Sequence, residues 1–216
     1  MSELVLHNYF RSSTSIRVRA ALNLKRLPYD YVAHHLRKKE QLAPSYIELN
    51  PQGLVPSLVL PSGQVLTQSL AIMEYLDELH PDPPLLPRAA EDRARVRSIA
   101  CAVACEIHPL NNLKVLGYLS SHFSASEEQT ASWFRHWVAE TFKPLERLLS
   151  ADSRTGKFTH GDQPGLSDIC LFAQVINNRR FAVDMAPYPT ISRIYEACAA
   201  LPEFCEAAPE KQPDAE

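Results

Sequence analysis

Residues 4–19 read LVLHNYFRSSTSIRVR, and this stretch sets the order of the first elements of the fold. Its start, Leu4–Phe10, is apolar and aromatic, which predicts a buried strand. The hydroxyl cluster Ser12–Ser15 is a typical helix start, and the helix must end before Pro28 because proline cannot continue it. Tyr29–Ala33 predicts a second strand. Residues 4–33 therefore encode a β-α-β unit.

The following segment has the pattern of a hairpin and a helix. Residues 57–67 read SLVLPSGQVLT, which predicts two strands joined by a turn at Pro61–Gly63. Apolar residues at steps of three and four then predict a helix that reaches Leu79. The segment His80–Pro87 contains four prolines, a composition typical of a linker between domains.

Beyond this linker the sequence has only helical patterns. A long amphipathic stretch covers residues 89–118 and is interrupted near Pro109. Ser124–Glu127 is a candidate capping box for the next helix, in which Pro144 is the expected kink. Two further helices are predicted over residues 166–178 and 189–200.

These patterns predict an α+β fold. The first part has the element order β-α-β-α-β-β-α of a thioredoxin-like domain, and the last part is all-helical. The predicted boundaries are residues 1–80 for the thioredoxin-like domain, 81–88 for the linker and 89–216 for the helical domain.

Composition narrows the functional classes. The 216 residues carry 22 basic and 25 acidic side chains, so neither nucleic acid nor an anionic membrane is an expected partner. No apolar run approaches the roughly 20 residues of a membrane span, and no secretory leader is expected. Five cysteines without paired spacing predict reduced thiols in a cytoplasmic protein. Cys101, Cys105 and His108 share a helical spacing, but no fourth ligand is evident, so no metal site is predicted.

The first candidate site is the hydroxyl cluster of Ser12, Ser13 and Thr14. Hydroxyls and backbone N–H groups gather there at the positive end of a helix, which favours an anion. A thiolate held at such a place has a depressed pKa. Helix capping by the same hydroxyls is the simpler alternative and remains open.

Two further motifs favour a peptide-like ligand. In the stretch NPQGLVP, residues 50–56, the bond before Pro56 is a candidate cis peptide that would expose the backbone of Val55 for strand-like pairing. Gln68 and Ser69 stand at the start of the helix after the hairpin, where side chains and N–H groups could bind a carboxylate. An ordinary trans loop and a plain helix cap are the alternatives.

Together these motifs resemble the glutathione transferase family over essentially the whole chain, and its zeta-like branch above all. That branch contains maleylacetoacetate and maleylpyruvate isomerases and is marked by Ser-Ser-Cys-x-x-Arg-Val-Arg, for which this chain has SSTSIRVR at residues 12–19. Other similar stretches are NPQGLVP at 50–56, HPLNN at 108–112, RRFAVDMAPYP at 179–189 and APEKQPD at 208–214.

The resemblance implies three groups of site residues. Those implied in catalysis are Ser12, Ser13 and Thr14, which would face the glutathione sulfur, and Arg11, which would lie on the substrate side. Those implied to hold glutathione are Gln52, Val55, Gln68 and Ser69. Those implied to line the substrate side are His108, Asn112 and Arg180. Arg11 and Arg180 are the candidates for binding substrate carboxylates because a planar guanidinium matches a carboxylate.

The implied activity is a glutathione-dependent cis–trans isomerisation of a small anionic substrate, maleylacetoacetate or maleylpyruvate, to its fumaryl isomer in aromatic-compound catabolism. The resemblance also implies a homodimer. Thr14 replaces the family's motif cysteine, which excludes covalent or redox chemistry at that position but keeps a hydroxyl donor. Two alternatives stay open: a general transferase or dehalogenase of small electrophiles, and a non-enzymatic ligand-binding or regulatory protein.

Overall fold

The computed structural model describes residues 3–216, which form two compact units. The first unit contains the chain up to Leu85 together with Ala200–Glu216, and the second contains Leu86–Ala199. The C-terminal segment thus groups with the first unit, whereas the sequence analysis placed it in the helical part. The physical reason is a set of hydrogen bonds that no local pattern encodes, such as those from Arg19 to the carbonyl of the buried Ala207.

The described part of the first unit contains a sheet and three α-helices before its C-terminal segment. Its elements in chain order are β1 (Leu4–Asn8), α1 (Ser13–Leu24), β2 (Tyr29–Ala33), α2 (Pro44–Leu49), β3 (Ser57–Val59), β4 (Val65–Thr67) and α3 (Ser69–Leu79). This order, β-α-β-α-β-β-α, confirms the predicted thioredoxin-like arrangement.

The sheet has the strand order β2-β1-β3-β4. Strands β1 and β2 run parallel, as expected for strands joined by a helix, and β3 pairs antiparallel with β1 and with β4. Leu6 and Leu58 face each other across β1 and β3, and both are fully buried. Helices α1 and α3 pack against each other in parallel, since Arg17 bonds Ser69 and Lys25 bonds Asp77, so their N-terminal ends lie on the same side of the unit.

Among the described residues of the first unit, two peptide bonds are cis. The bond before Pro56 is cis, as the sequence analysis proposed, and it directly precedes β3. The bond from Asp82 to Pro83 is also cis and was not predicted. The hairpin turn lies where it was expected, with Gly63 at a φ of +83°, a conformation that glycine adopts without a Cβ clash.

The second unit is helical. Its elements are α4 (Ala90–Cys101), a π-helical stretch (Ala102–Ile107), α5 (Leu113–Phe123), α6 (Glu127–Ala151), α7 (Leu166–Arg180) and α8 (Pro189–Ala199). The capping box of α6 is Ser126 with Gln129, and not the predicted Ser124–Glu127. The reason is that α5 extends to Phe123, so Ser124 takes a left-handed conformation as the C-cap of α5.

Helix α7 forms the centre of the second unit. Residues 166–175 are all buried, and α7 packs against α4 and α8. Its N-cap is Gly165, which offers no side chain, but the carboxylate of Asp168 accepts hydrogen bonds from the N–H groups of Gly165 and Thr159 at 2.9 and 2.7 Å. Burial nevertheless raises the pKa of Asp168 to about 6. Across residues 3–216, no helix has both the length and the apolar character needed to cross a membrane.

Candidate active site

The first part of the site is the turn between β1 and α1. The N–H of Ser12 donates to the carbonyl of Tyr9 at 3.0 Å, which closes the turn. The hydroxyl of Ser12 accepts from the N–H of Ser15 at 3.2 Å and so caps α1. Ser12, Ser13 and Thr14 therefore stand at the positive end of this helix, as the sequence predicted.

The hydroxyls of this turn are linked to the loop before β3. Thr14 Oγ1 donates to the carbonyl oxygen of Val55 at 3.0 Å, and Ser12 Oγ lies 2.8 Å from Thr14 Oγ1. Because the single hydroxyl proton of Thr14 is used at Val55, Ser12 is the donor in the bond between the two hydroxyls. Two predicted sulfur-facing residues and one predicted glutathione-backbone residue are thus brought together.

The second part of the site is the start of α3. Gln68 precedes the helix with a φ of +69° and caps it with no side-chain hydrogen bond. A non-glycine residue held there costs about 1–3 kcal/mol, so the surrounding structure must impose this conformation. The side-chain amide of Gln68 donates to Gln52 Oε1 at 3.2 Å, which joins two more of the predicted glutathione-binding residues.

Arg17 lies behind this helix start and was not singled out from the sequence. Only 1% of Arg17 is exposed. Its Nη1 donates to Ser69 Oγ at 3.3 Å, while Nε and Nη2 have no hydrogen-bond partner in the part of the chain that the structure describes. A sequence signal existed: Arg17 and Arg19 alternate with Ile16, Val18 and Ala20, a pattern that leaves α1 no polar face.

Arg19 is buried too, but its guanidinium is fully used. It donates to Asn8 Oδ1 at 2.8 Å and to the carbonyls of Tyr9, Phe10 and Ala207 at distances from 2.9 to 3.3 Å. Burial lowers the pKa of Arg19 to about 10, so the side chain stays charged at neutral pH. Arg19 therefore joins the turn before α1 to the C-terminal segment, which contains the short helix α9 (Pro202–Cys205).

The C-terminal segment makes further contacts with the turn. The carboxylate of Asp214 accepts from the N–H of Phe10 at 3.2 Å and from the hydroxyl of Tyr31. Arg11 stacks its guanidinium on the ring of Phe10, 4.8 Å from the centroid, and donates to the backbone oxygen of Glu216 at 3.3 Å. The sequence analysis noted the ending of the chain only as a family-like stretch and assigned no role to Asp214.

The predicted substrate-side residues lie on three segments of the second unit. His108 follows the π-helical stretch and is half-buried. Asn112 is the N-cap of α5, where its side chain accepts from the N–H of Lys114 at 3.0 Å. Arg180 is exposed at the last residue of α7, and its Nη1 donates to Asn177 Oδ1 at 3.3 Å.

The second unit also has a cavity of about 360 Å³. Residues of α4, the π-helical stretch and α6 line it, among them Ile99, Trp137 and Leu145, and none of the three predicted substrate-side residues does. Within residues 3–216, no group of three or more His, Cys, Asp or Glu side chains is arranged to hold a metal ion.

Comparison with known proteins places the chain in a family. The profile described as "Glutathione S-transferase, N-terminal domain" matches residues 6–84. The chain is 47% identical to maleylpyruvate isomerase of a Ralstonia species, over 97% of this chain and 98% of that protein. A solved holo structure described as a maleylpyruvate isomerase and bacterial glutathione S-transferase of the zeta class has a TM-score of 0.96 and 46% identity, covering 98% and 100% of the two chains. This chain is a zeta-class glutathione S-transferase.

A second similar solved structure contains bound ligands. It is the maleylacetoacetate isomerase of Methylobacterium extorquens AM1 with malonate and glutathione, with a TM-score of 0.95 and 39% identity over 98% of this chain and 99% of that one. In the present zeta-class transferase, the hydroxyls at the start of α1 suit a thiolate. The uncapped start of α3, with the unpaired guanidinium N–H groups of Arg17 behind it, suits a carboxylate. The residues present therefore fit glutathione, which carries both groups.

Proposed function

We propose that this zeta-class transferase is a glutathione-dependent cis–trans isomerase that converts a small unsaturated diacid, maleylpyruvate or maleylacetoacetate, to its fumaryl isomer. One observation carries the proposal: the linked hydroxyls of Ser12 and Thr14 lie at the N-terminus of α1 and are tied to the carbonyl of Val55. The similarity to maleylpyruvate isomerase over nearly the full length of both chains supports it.

The chemistry divides between glutathione and the protein. Glutathione, when bound, supplies a thiolate that can add to and leave a conjugated C=C bond, so that rotation about this bond becomes fast. Ser12, Ser13 and Thr14 stabilise the thiolate form at the positive end of α1. When glutathione binds, the hydroxyl proton that Ser12 donates to Thr14 turns to the sulfur, while Thr14 keeps its bond to the carbonyl of Val55. A depression of the thiol pKa by about two units corresponds to about 2.7 kcal/mol of differential stabilisation.

The remaining predicted residues have binding roles in this proposal. The backbone of Val55 and the side chain of Gln52 orient the cofactor, and Gln68 with Ser69 binds its γ-glutamyl carboxylate. Arg11 and Arg180 bind the carboxylates of the substrate because a guanidinium offers two parallel N–H donors. His108 and Asn112 line the substrate side and orient the diacid; these two roles rest on the family-like stretch at residues 108–112.

The direct test is turnover of both acids side by side, followed by their ultraviolet spectra, with and without glutathione. We expect isomerisation only when glutathione is present. In the same preparation, titration of the bound thiol should give a pKa about two units below that of free glutathione. Isomerisation without glutathione, or an unchanged thiol pKa, would contradict the proposal.

Removal of the Thr14 hydroxyl tests whether this residue lowers the pKa of the bound thiol. Thr14→Val keeps the shape of the side chain and removes the hydroxyl that links Ser12 to the carbonyl of Val55, so the pKa of the bound thiol should rise by about one unit and kcat should fall. Thr130→Val is the matched control, since Thr130 is a hydroxyl residue of α6 whose side chain bonds only its own helix. Equal behaviour of the two variants would contradict a role for Thr14.

Arg180→Ala separates the isomerase from a general transferase. In the isomerase, this change should mainly raise KM for the diacid because one carboxylate loses its guanidinium partner. A transferase that acts on uncharged electrophiles needs no such partner. Unchanged KM for the diacid, together with efficient conjugation of uncharged electrophiles, would favour the general transferase.

We also propose that the protein acts as a homodimer in the cytoplasm, in a pathway of aromatic-compound catabolism. Within residues 3–216 the five cysteines form no disulfide, which supports a reducing compartment where glutathione is abundant. Sedimentation equilibrium tests the dimer, and a mass of 24.3 kDa in solution would contradict it.

A further inference from the structure

The guanidinium of Arg17 is a buried charge without a counter-charge. Only Nη1 has a partner, the hydroxyl of Ser69, and no carboxylate within residues 3–216 forms an ion pair with this side chain. An arginine cannot lose its proton at physiological pH, so the positive charge persists. Burying unpaired N–H donors of a charged group is costly, which means that this arrangement destabilises the protein on its own.

The position of Arg17 adds to this cost. Its guanidinium lies at the N-terminal end of α3, where the helix dipole is already positive. The first-turn N–H groups of α3 have no partner within the helix, and Gln68 supplies no side-chain cap. Two sources of positive potential therefore meet at Ser69, and an anion placed there would relieve both.

The bond between Arg17 and Ser69 also sets the direction of the serine hydroxyl. Since Ser69 Oγ accepts from Arg17 Nη1, the hydroxyl proton of Ser69 remains available to donate to an anion in front of it. Ser69 is 5% exposed and Arg17 is 1% exposed, so the hydroxyl and the guanidinium that it contacts are both buried in the first unit. A charge behind a donor strengthens the hydrogen bond that the donor makes.

We propose that Arg17 is a positioning residue for the γ-glutamyl carboxylate of glutathione, acting through the hydroxyl of Ser69 and through its buried positive charge. This inference rests on the proposed function, because it assumes that glutathione occupies the start of α3. Arg17 does not touch the reacting sulfur; it selects a ligand with an anionic group at this end. The unpaired charge lowers the stability of the ligand-free protein, and the same charge makes the site favour a carboxylate.

The test compares two ligands and two states of the protein. The ligands are glutathione and its analogue in which 4-aminobutyrate replaces the γ-glutamyl residue, so that only the carboxylate is missing. The variants are Arg17→Met, which removes the charge, and Arg17→Lys, which keeps it. Dissociation constants come from calorimetry, and the melting temperature of the full chain is measured without any ligand.

We expect Arg17→Met to weaken glutathione binding by about tenfold, equal to about 1.4 kcal/mol, and to leave binding of the analogue within about twofold of the wild-type protein. Without ligand, the melting temperature of Arg17→Met should equal or exceed that of the wild-type protein, because an unpaired buried charge has been removed. Arg17→Lys should retain part of the preference for glutathione over the analogue.

A merely structural arginine gives the opposite pattern. Arg17→Met would then melt at a lower temperature without ligand, or fail to fold, and either result overturns the proposal. Equal loss of affinity for both ligands, or no loss, overturns it as well. If the wild-type protein binds neither ligand, the proposed function fails, and this outcome is distinct from a wild-type protein that binds both ligands equally well, which refutes the role of Arg17 alone.

Discussion

Each end of the contact between α1 and α3 has a buried cation, and the two cations differ in how many hydrogen-bond acceptors surround them. At the C-terminal end, Lys25 donates to Asp77 at 2.6 Å and to the carbonyls of His80 and Pro83 at 2.6 and 2.5 Å. At the N-terminal end, Arg17 donates to Ser69 and leaves two N–H-bearing nitrogens unpaired. Both pairs join residues 52 positions apart, so the two cations connect the same two parallel helices in one register.

The number of acceptors around each cation indicates whether its role is structural or lies in ligand binding. All three protons of the Lys25 ammonium have acceptors, so its burial is compensated within the protein and its role is structural. Arg17 has no such compensation, and its missing acceptors lie where a ligand is proposed to bind. Arg19, between the two along α1, resembles Lys25 because its guanidinium is saturated by one side chain and three backbone carbonyls.

The largest effect is expected at the compensated end. Lys25→Met leaves the carboxylate of Asp77, whose side chain is only 11% exposed, without its cation, so the free energy of unfolding should fall by about 3–5 kcal/mol. Urea titration measures this, with the exposed Lys38→Met as control, for which a change within about 0.5 kcal/mol is expected. If Lys25→Met is as stable as the control, the acceptors around Lys25 do not stabilise the protein, and the contrast between Lys25 and Arg17 is contradicted.

The second unit has a buried carboxylate, Asp168, that can be compared with the buried cations Lys25 and Arg17. Asp168 is a buried charge with N–H donors but no ion pair, and burial raises its pKa from 3.8 to about 6. The folded state thus holds the proton more tightly than the unfolded state. The contribution of Asp168 to the unfolding free energy should therefore fall as pH rises from about 4 to about 6, by about 3 kcal/mol in total, and stay constant above.

Urea titrations of the wild-type protein and of Asp168→Asn at several pH values isolate this contribution, because the other carboxylates cancel in the difference. The stability of the wild-type protein relative to the variant should decline across that window. A difference that does not depend on pH would mean that the N–H donors balance burial, and one that increases with pH would mean that they outweigh it. Either result would make Asp168 as well compensated as Lys25.

The smallest effect is expected where the C-terminal segment meets the turn before α1. Asp214→Asn keeps the size of the side chain but weakens the bonds from Phe10 and Tyr31, so the unfolding free energy should fall by about 1–2 kcal/mol. Glutathione affinity should fall as well, because the same turn carries Ser12. The exposed Glu210→Gln removes a nearby charge without such bonds and serves as control. Loss of stability with full affinity would confine Asp214 to a structural role.

Much of this fold could be predicted from the sequence because it depends on local patterns. Residues 4–28 predicted β1, α1 and their connection. The signals there are apolar periodicity, hydroxyl capping and the ring of Pro28, each of which acts over only a few residues. The thioredoxin-like order and the helical character of the second unit followed for the same reason. The capping box of α6 was misplaced by two residues because the sequence did not show where α5 ends.

Only the tertiary structure decided which charges are compensated. Asp214 and Phe10 are 204 residues apart, and Arg17 and Ser69 are 52 apart, so no local pattern links the members of either pair. The sequence determined that α1 carries two arginines among apolar neighbours, but a guanidinium is saturated or left unpaired by the packing of distant segments around it. The helix starts and the family of the chain were therefore readable from the residues, whereas the free N–H groups behind Ser69 appear only once the chain is folded, because hydrogen-bond satisfaction is a property of the packed interior.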